Sequence, residues 1–101
     1  MSTEVQIMEL ISTAGESKSK AFEALKKVKS KDFKGAKLLI EEARKIDIEA
    51  HRIQTELITQ YLNEDVESPA MSLLMVHAQD HYMTSQLAKD LIEALIYCLD
   101  K

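Results

Sequence analysis

The sequence predicts an all-α protein, an up-down-up antiparallel bundle of three helices forming a single domain over residues 1–101. Three observations predict it. Apolar residues recur at alternating spacings of three and four, which brings them onto one face of a helix. Breakers are few: two Gly and one Pro cannot punctuate a chain of many turns. Aromatics make up only 5% and Trp is absent, so the apolar mass comes from Leu, Ile, Ala, Val and Met, which suit helices better than a sandwich.

The first helix is expected over Thr3–Lys29, with a seam at Ile7, Ile11, Ala14, Ala21, Leu25 and Val28 that Lys18 interrupts. Ser30-Lys31-Asp32 then breaks the pattern, and Asp32 is a good N-cap for a second helix over Phe33–Leu62. That helix carries Ala36, Leu39, Ala43, Ile46, Ala50, Ile53 and Leu57, a strict alternation of three and four. The stretch Asn63–Pro69 is the second break. Ser68 as cap and Pro69 at the first helical position start a third helix running to Asp100. Its seam reads Ala70, Leu74, His77, His81, Thr84, Ala88, Leu91, Leu95 and Cys98. Short connections make neighbouring helices antiparallel. Met8, Phe22, Leu38 and Ile40 fall outside the seams, a surplus of apolar surface that suits a helical oligomer.

Charge and composition exclude several classes. The formal net charge is −4, and the one dense run of lysines, Lys18 to Lys37, reads as a solvated face and a favourable helix C-terminus. A nucleic-acid partner is not expected. A single cysteine, Cys98, allows no internal disulfide and is expected to be a small buried hydrophobe beside Leu95, Ile96 and Leu99. There is no apolar run long enough to span a membrane, and no basic stretch precedes an apolar one at the N-terminus. The expected location is the cytoplasm.

Chemistry concentrates in the third helix. Three consecutive seam positions, His77, His81 and Thr84, are polar, and Asp80 lies on the same broad face, about 60° from His77. Gln79 points nearly the opposite way. Polar groups on a seam cost stability unless they are satisfied or used. Imidazole accepts phosphoryl groups and binds metals, so the residues alone leave three readings open. They can be a phosphoryl site, a metal site of His77, His81, Asp80 and His51, or polar specificity positions of an adaptor bundle. A di-iron centre would want paired Glu-x-x-His motifs, and none is present.

The segment Leu73-Leu74-Met75-Val76-His77-Ala78-Gln79-Asp80-His81-Tyr82-Met83-Thr84-Ser85 resembles the signature of the lactose/cellobiose family of phosphotransferase-system enzyme IIA components. Ala50–Ile58, Ser17–Leu25 and Asp32–Ala36 are similar to further family motifs. The resemblance runs from about Met8 to Leu95. It implies three-helix protomers assembled as a trimer, together a nine-helix bundle. It implies that His77, the first His of His-Ala-Gln-Asp-His, is the phosphoryl carrier as a tele-phosphohistidine. The donor would be HPr, the acceptor a cysteine of enzyme IIB, and the membrane would be reached only through the IIC permease. It further implies that Asp80 lies near the trimer axis, where three such carboxylates hold one structural Mg2+. A hard dication would relieve their mutual repulsion.

Supporting residues follow from position. His81, one turn from His77, can donate to a phosphate or pack at an interface. Gln79 would reach a phosphate only on a neighbouring protomer. His51 and Gln54 form an i, i+3 pair on the second helix that suits hydrogen bonding between helices. The chain departs from the family at Tyr82, where Leu is common, at Gln60–Asn63, and at Gly15–Ser19, which varies on a Gly-x-Ala-Arg-Ser pattern. The sugar is not written in the chain, because an IIA component hands phosphate from protein to protein. Lactose, cellobiose, chitobiose and other β-glucosides fit equally.

Overall fold

The computed structural model describes residues 3–63 and 72–101. They form three helices, α1 (Thr3–Lys29), α2 (Phe33–Leu62) and α3 (Leu73–Leu99), and no strand. The molecule is a rod of 53 × 19 × 19 Å. Contacts at its ends and middle fix the directions. Thr3 at the start of α1 donates to Gln60 near the end of α2 at 3.2 Å. Lys37 early in α2 pairs with Asp100 just after α3. The path is therefore up, down, up.

The α1–α2 turn shows how the first break works. Lys31 adopts φ 63°, the left-handed conformation that closes a helix. Its N–H donates to the Val28 carbonyl and the Asp32 N–H to the Lys27 carbonyl, both at 2.9 Å. Together they satisfy two of the carbonyls that a helix end leaves open. Asp32 then turns and caps α2, its Oδ1 accepting the Gly35 N–H at 2.9 Å. A Cβ on Gly35 would come within 2.4 Å of the same carboxylate and would push the capping side chain aside.

The expected cap at Ser68 and Pro69 lies outside the described residues. The helix itself starts later than expected: Ser72 is its N-cap, with Oγ accepting the Met75 N–H at 3.1 Å. The Ser72 backbone is extended, so α3 does not continue back through it. Its last residue is Leu99, one short of Asp100.

Two apolar clusters fill the bundle. One joins Ile7, Leu10, Ala50, Ile53, Leu57, Met75 and Ala78. The other joins Ala21, Ala24, Val28, Ala36, Ile40, Ile92 and Ile96. A polar level separates them along the rod. There the Ser17 hydroxyl donates to the Ala43 carbonyl at 2.9 Å. Lys89 pairs with Asp47 at 3.1 Å, and Gln86 donates to the same carboxylate.

These packed positions correct the expected seams. On α1 the buried row is Ile7, Leu10, Ala14, Ser17, Ala21, Ala24 and Val28, so Ser17 carries the seam past Lys18. Ile11 and Leu25 are only partly buried. On α2, Ile40 is buried, not surplus, while Leu39 and Ile46 are partly exposed. The largest correction is on α3. Its inward row is Met75, Ala78, Tyr82, Ser85, Ile92 and Ile96, one position round from the expected seam. His77, Thr84, Leu91, Leu95 and Cys98 are exposed in the single chain. The free Cys98 thiol is thus a surface group, not a core one. The physical reason is that α3 is apolar over much of its circumference. Two adjacent rows share the same spacing, and small residues such as Ala78 and Ser85 let the neighbouring helix approach closely.

Candidate phosphoryl-transfer site

α3 carries the site residues, and its 100° step sorts them into two groups. His77 and His81 stand one turn apart, their ring centroids 4.6 Å apart and their planes tilted by 76°. Such a T-shaped contact is a favoured aromatic arrangement. His77 is exposed and lines a shallow apolar depression with Leu73 and Leu74. His81 is half-buried. Burial pushes its pKa below the usual histidine range, and the charge of Lys18 on α1 and the neighbouring His77 act in the same direction. Asp80 opposes them. His81 is therefore held in its neutral form, a ring with one N–H donor and one acceptor nitrogen.

Lys18 is the residue that the sequence reading undervalued. As a gap in the α1 seam it looked like an interruption. In the fold it brings a cation towards His81, and among the described residues no carboxylate pairs with it within 4 Å. The signal was available, since Lys18 occupies the basic position of the Gly-x-Ala-Arg-Ser pattern.

The second group faces α2. Gln79 points away from His77, as its position predicts, and forms a reciprocal amide pair with Gln54. Gln54 Nε2 donates to Gln79 Oε1 at 2.5 Å, and Gln79 Nε2 donates to Gln54 Oε1 at 2.9 Å. His51 Nδ1 lies 2.9 Å from the Tyr82 hydroxyl. Interhelix hydrogen bonding is thus what His51 and Gln54 do in the single chain. Tyr82, the departure from Leu, supplies the partner. Burial, and after it the charge of Asp47, raises the Tyr82 pKa, so its hydroxyl stays protonated.

Asp80 belongs to neither group. It is exposed, and its side chain makes no ion pair among the described residues. Thr84 donates to the Asp80 backbone carbonyl at 2.7 Å and leaves the carboxylate free. Around it on α3 lie Leu73, Val76, Met83, Leu87 and Leu91, all exposed and all within about 60° of its direction. Among the described residues of one chain, no three His, Cys, Asp or Glu side chains converge on a point that could hold a metal. His51, turned towards Tyr82, does not complete a set with His77, His81 and Asp80.

A sequence model of the family described as "PTS system, Lactose/Cellobiose specific IIA subunit" matches residues 5–100. The chain belongs to this family. As a IIA component it is a phosphotransferase component of the phosphotransferase system. It is 43% identical over 95 residues to the N,N'-diacetylchitobiose-specific EIIA component of Escherichia coli K12, covering 94% of this chain and 80% of that one. It is also 43% identical over 96 residues to the lactose-specific EIIA component of Staphylococcus epidermidis, covering 92% and 89%. The fold agrees with solved structures. The solution structure of the chitobiose IIA–HPr complex of E. coli superposes with a TM-score of 0.82 at 40% identity, covering 99% of this chain and 95% of that one. The cellobiose-specific enzyme IIA from Bacillus anthracis gives a TM-score of 0.91 at 32% identity, covering 99% and 90%. All-α architecture with three helices is therefore a property of this IIA protein and of its relatives. No described helix is long and apolar enough to cross a membrane.

Proposed function

We propose that this IIA protein is a phosphocarrier that receives a phosphoryl group from phospho-HPr on Nε2 of His77 and delivers it to a cysteine of enzyme IIB. The observation that carries the reading is the exposed His77 in an apolar depression, with the neutral His81 ring 4.6 Å away. The Nε2 lone pair forms a new P–N bond as the P–N bond to the donor histidine breaks, which leaves the donor imidazole neutral. In the second half the cysteine thiolate takes the phosphoryl group and His77 is released. Such a transfer needs in-line placement and donors for the equatorial oxygens more than covalent assistance. The His81 ring and the Lys18 ammonium supply donors on the correct side of α3. Leu73 and Leu74 supply an apolar rim against which HPr and IIB dock.

The working unit is a homotrimer. Its support is the run of exposed apolar side chains on α3, too large for a surface left to water, with Asp80 inside it. Three chains meeting along this run bring three Asp80 carboxylates together, and their oxygens suit a single hard dication, Mg2+. Bound there, the ion would offset carboxylate repulsion and would take no part in the transfer. In that assembly Gln79 would reach a neighbouring protomer's phosphate only by opening its pairing with Gln54. A β-linked disaccharide such as chitobiose, lactose or cellobiose is the cargo of the system, in line with what the relatives are named for.

The test is incubation with phosphoenolpyruvate, enzyme I and HPr, followed by a search for acid-labile phosphate. The expected result is labelling that is lost in His77→Ala and survives in His81→Ala. A protein that its own HPr cannot label would leave the adaptor-bundle reading in place.

A further inference from the structure

The net charge of −4 hides a sharp division along the rod. Seven of the 13 basic residues stand at one end. Lys26, Lys27 and Lys29 end α1, Lys31 sits in the turn, Lys34 and Lys37 open α2, and Lys101 follows α3. Packing brings these three segments together. One shallow depression of about 380 Å3 is lined by the apolar Val28, Phe33 and Leu99 and by Lys29, Lys31 and Lys101. Within residues 26–37 and 97–101 the only acidic side chains are Asp32, which caps α2, and Asp100, which pairs with Lys37. The rest of the chain carries the other 15 of the 17 acidic residues.

The fold explains only part of this. Lys26, Lys27 and Lys29 complement the negative end of α1. Lys34 stands in the first turn of α2, at the positive end of that helix, and no acidic residue in that turn balances it. All seven lysines are exposed, and among the described residues only Lys37 has a carboxylate within 4 Å. Like charges gathered on one small face repel one another, with no compensation inside the chain.

We propose that this end of the bundle docks on a membrane surface rich in anionic phospholipid. Clusters of four to eight basic residues bind such surfaces, through the negative potential of the headgroup layer. Here the charge is all lysine. The two arginines lie elsewhere, Arg44 paired with Glu41 and Glu93, and Arg52 with Glu49 and Glu56. A planar guanidinium suits a fixed, bidentate partner, whereas flexible ammonium groups suit a diffuse field. Apolar groups accompany the charge, as they do in segments that lie at the headgroup boundary. Tyr97 is 86% exposed and Leu99 is 52% exposed, and tyrosine favours that boundary. About 33 Å of helix separates Leu99 from His77, at 1.5 Å per residue. The surface potential decays over about 8 Å at physiological salt, so the docked end leaves the histidines outside its field. The chain would then reach the membrane directly as well as through a permease. The proposal goes beyond the phosphocarrier reading and does not depend on it.

The experiment is sedimentation of the full-length protein with sucrose-loaded vesicles of phosphatidylcholine alone, or mixed one to one with phosphatidylglycerol, at about 0.1 M salt. The protein should sediment with the mixed vesicles, stay in solution with phosphatidylcholine, and be released as the salt rises to about 0.5 M. The variant Lys26→Gln/Lys27→Gln/Lys29→Gln/Lys34→Gln should lose at least about a hundredfold in partition coefficient, since each lysine at such a surface is worth roughly a factor of five. Its helical circular dichroism and its labelling by phospho-HPr in solution should not change. Lys20→Gln/Lys45→Gln, outside this end, should bind within about twofold of the wild type, because neither ammonium reaches the headgroups. A wild-type protein that ignores phosphatidylglycerol vesicles would overturn the proposal and leave the basic end to an acidic protein surface. Equal binding to both vesicle types, or a four-lysine variant that binds as tightly as the wild type, would overturn it too. Vesicle binding is read without phosphate, so it decides the proposal even if HPr failed to label His77.

Discussion

The two long faces of α3 differ in a direction opposite to the usual rule. The face packed inside the chain carries small and polar side chains: Ala78, Ser85, and the partly buried Tyr82 and Lys89 among Met75, Ile92 and Ile96. The face left open carries Leu73, Val76, Met83, Leu87, Leu91 and Leu95. Close approach explains the inner face, since Ala and Ser let helices pack tightly and little side-chain volume is needed. The open face cannot be explained by one chain. Each large apolar side chain left in water forgoes roughly 1.5–3 kcal/mol of burial. A helix whose outer row is richer than its inner row suits the proposed homotrimer, with one interface within the protomer and one between protomers.

Adjacent residues test this division most sharply. Ile92 is 4% exposed and Leu91 is 56% exposed. Ile92→Asp places a carboxylate in the second apolar cluster and should cost at least about 4 kcal/mol, enough to remove most of the stability of a small domain. Leu91→Asp should keep the helical circular dichroism and lower the mass seen by light scattering from trimer to monomer. If both variants unfold to the same extent, the two faces are energetically one and the division fails.

The polar level offers a second, smaller break. Asp47 and Lys89 retain only 15% and 12% of their side-chain exposure, and they join α2 to α3 midway along the rod. Asp47→Ala leaves the ammonium of Lys89 buried without its partner and should cost about 2 kcal/mol, read as a lower urea midpoint at unchanged slope. Adding Lys89→Met should recover most of that loss. A loss in Asp47→Ala that the second substitution does not relieve would mean that the pair acts through Gln86, which also binds Asp47.

The smallest expected effect sharpens the picture of the open face. Asp80 is the polar member of an otherwise apolar row. Asp80→Leu should maintain or tighten the proposed trimer, in which it would replace converging carboxylates with apolar contacts. Chelation by EDTA should loosen the wild-type assembly and leave Asp80→Leu untouched. A monomeric Asp80→Leu variant would contradict the axial position of this residue.

The turn between the first two helices was legible, because helix ends are chemical. Asp32 caps α2, and Lys31 closes α1 in a conformation that Ser30-Lys31-Asp32 tolerates. The start of α3 was not. Ser68-Pro69 and Ser72 are both competent starts, and local chemistry does not rank them. The helix-three seam was displaced by one position for a related reason. Periodicity reports that a row is apolar and is silent on which neighbour covers it. Pairings between helices were partly legible. The opposition of Gln79 to His77 follows from the helical step, and His51 and Gln54 were readable as interhelix donors. Their partners, Tyr82 and Gln79, required the packed helices.

The sequence by itself determined the three-helix class, the break at Ser30–Asp32 with Asp32 as cap and, through His77-Ala78-Gln79-Asp80-His81, the IIA family. Those are local properties, written in neighbouring residues and in a repeat of 3.6. Only the tertiary structure decided which row of α3 is inside, that Cys98 lies at the surface, and that Lys18 comes up beside His81. It also decided that Ser85 is buried, with no hydrogen-bond partner for its hydroxyl among the described residues. Each of these depends on how far one helix is rotated against another. That rotation is set by the volumes of side chains from all three helices together, which no single stretch of sequence contains.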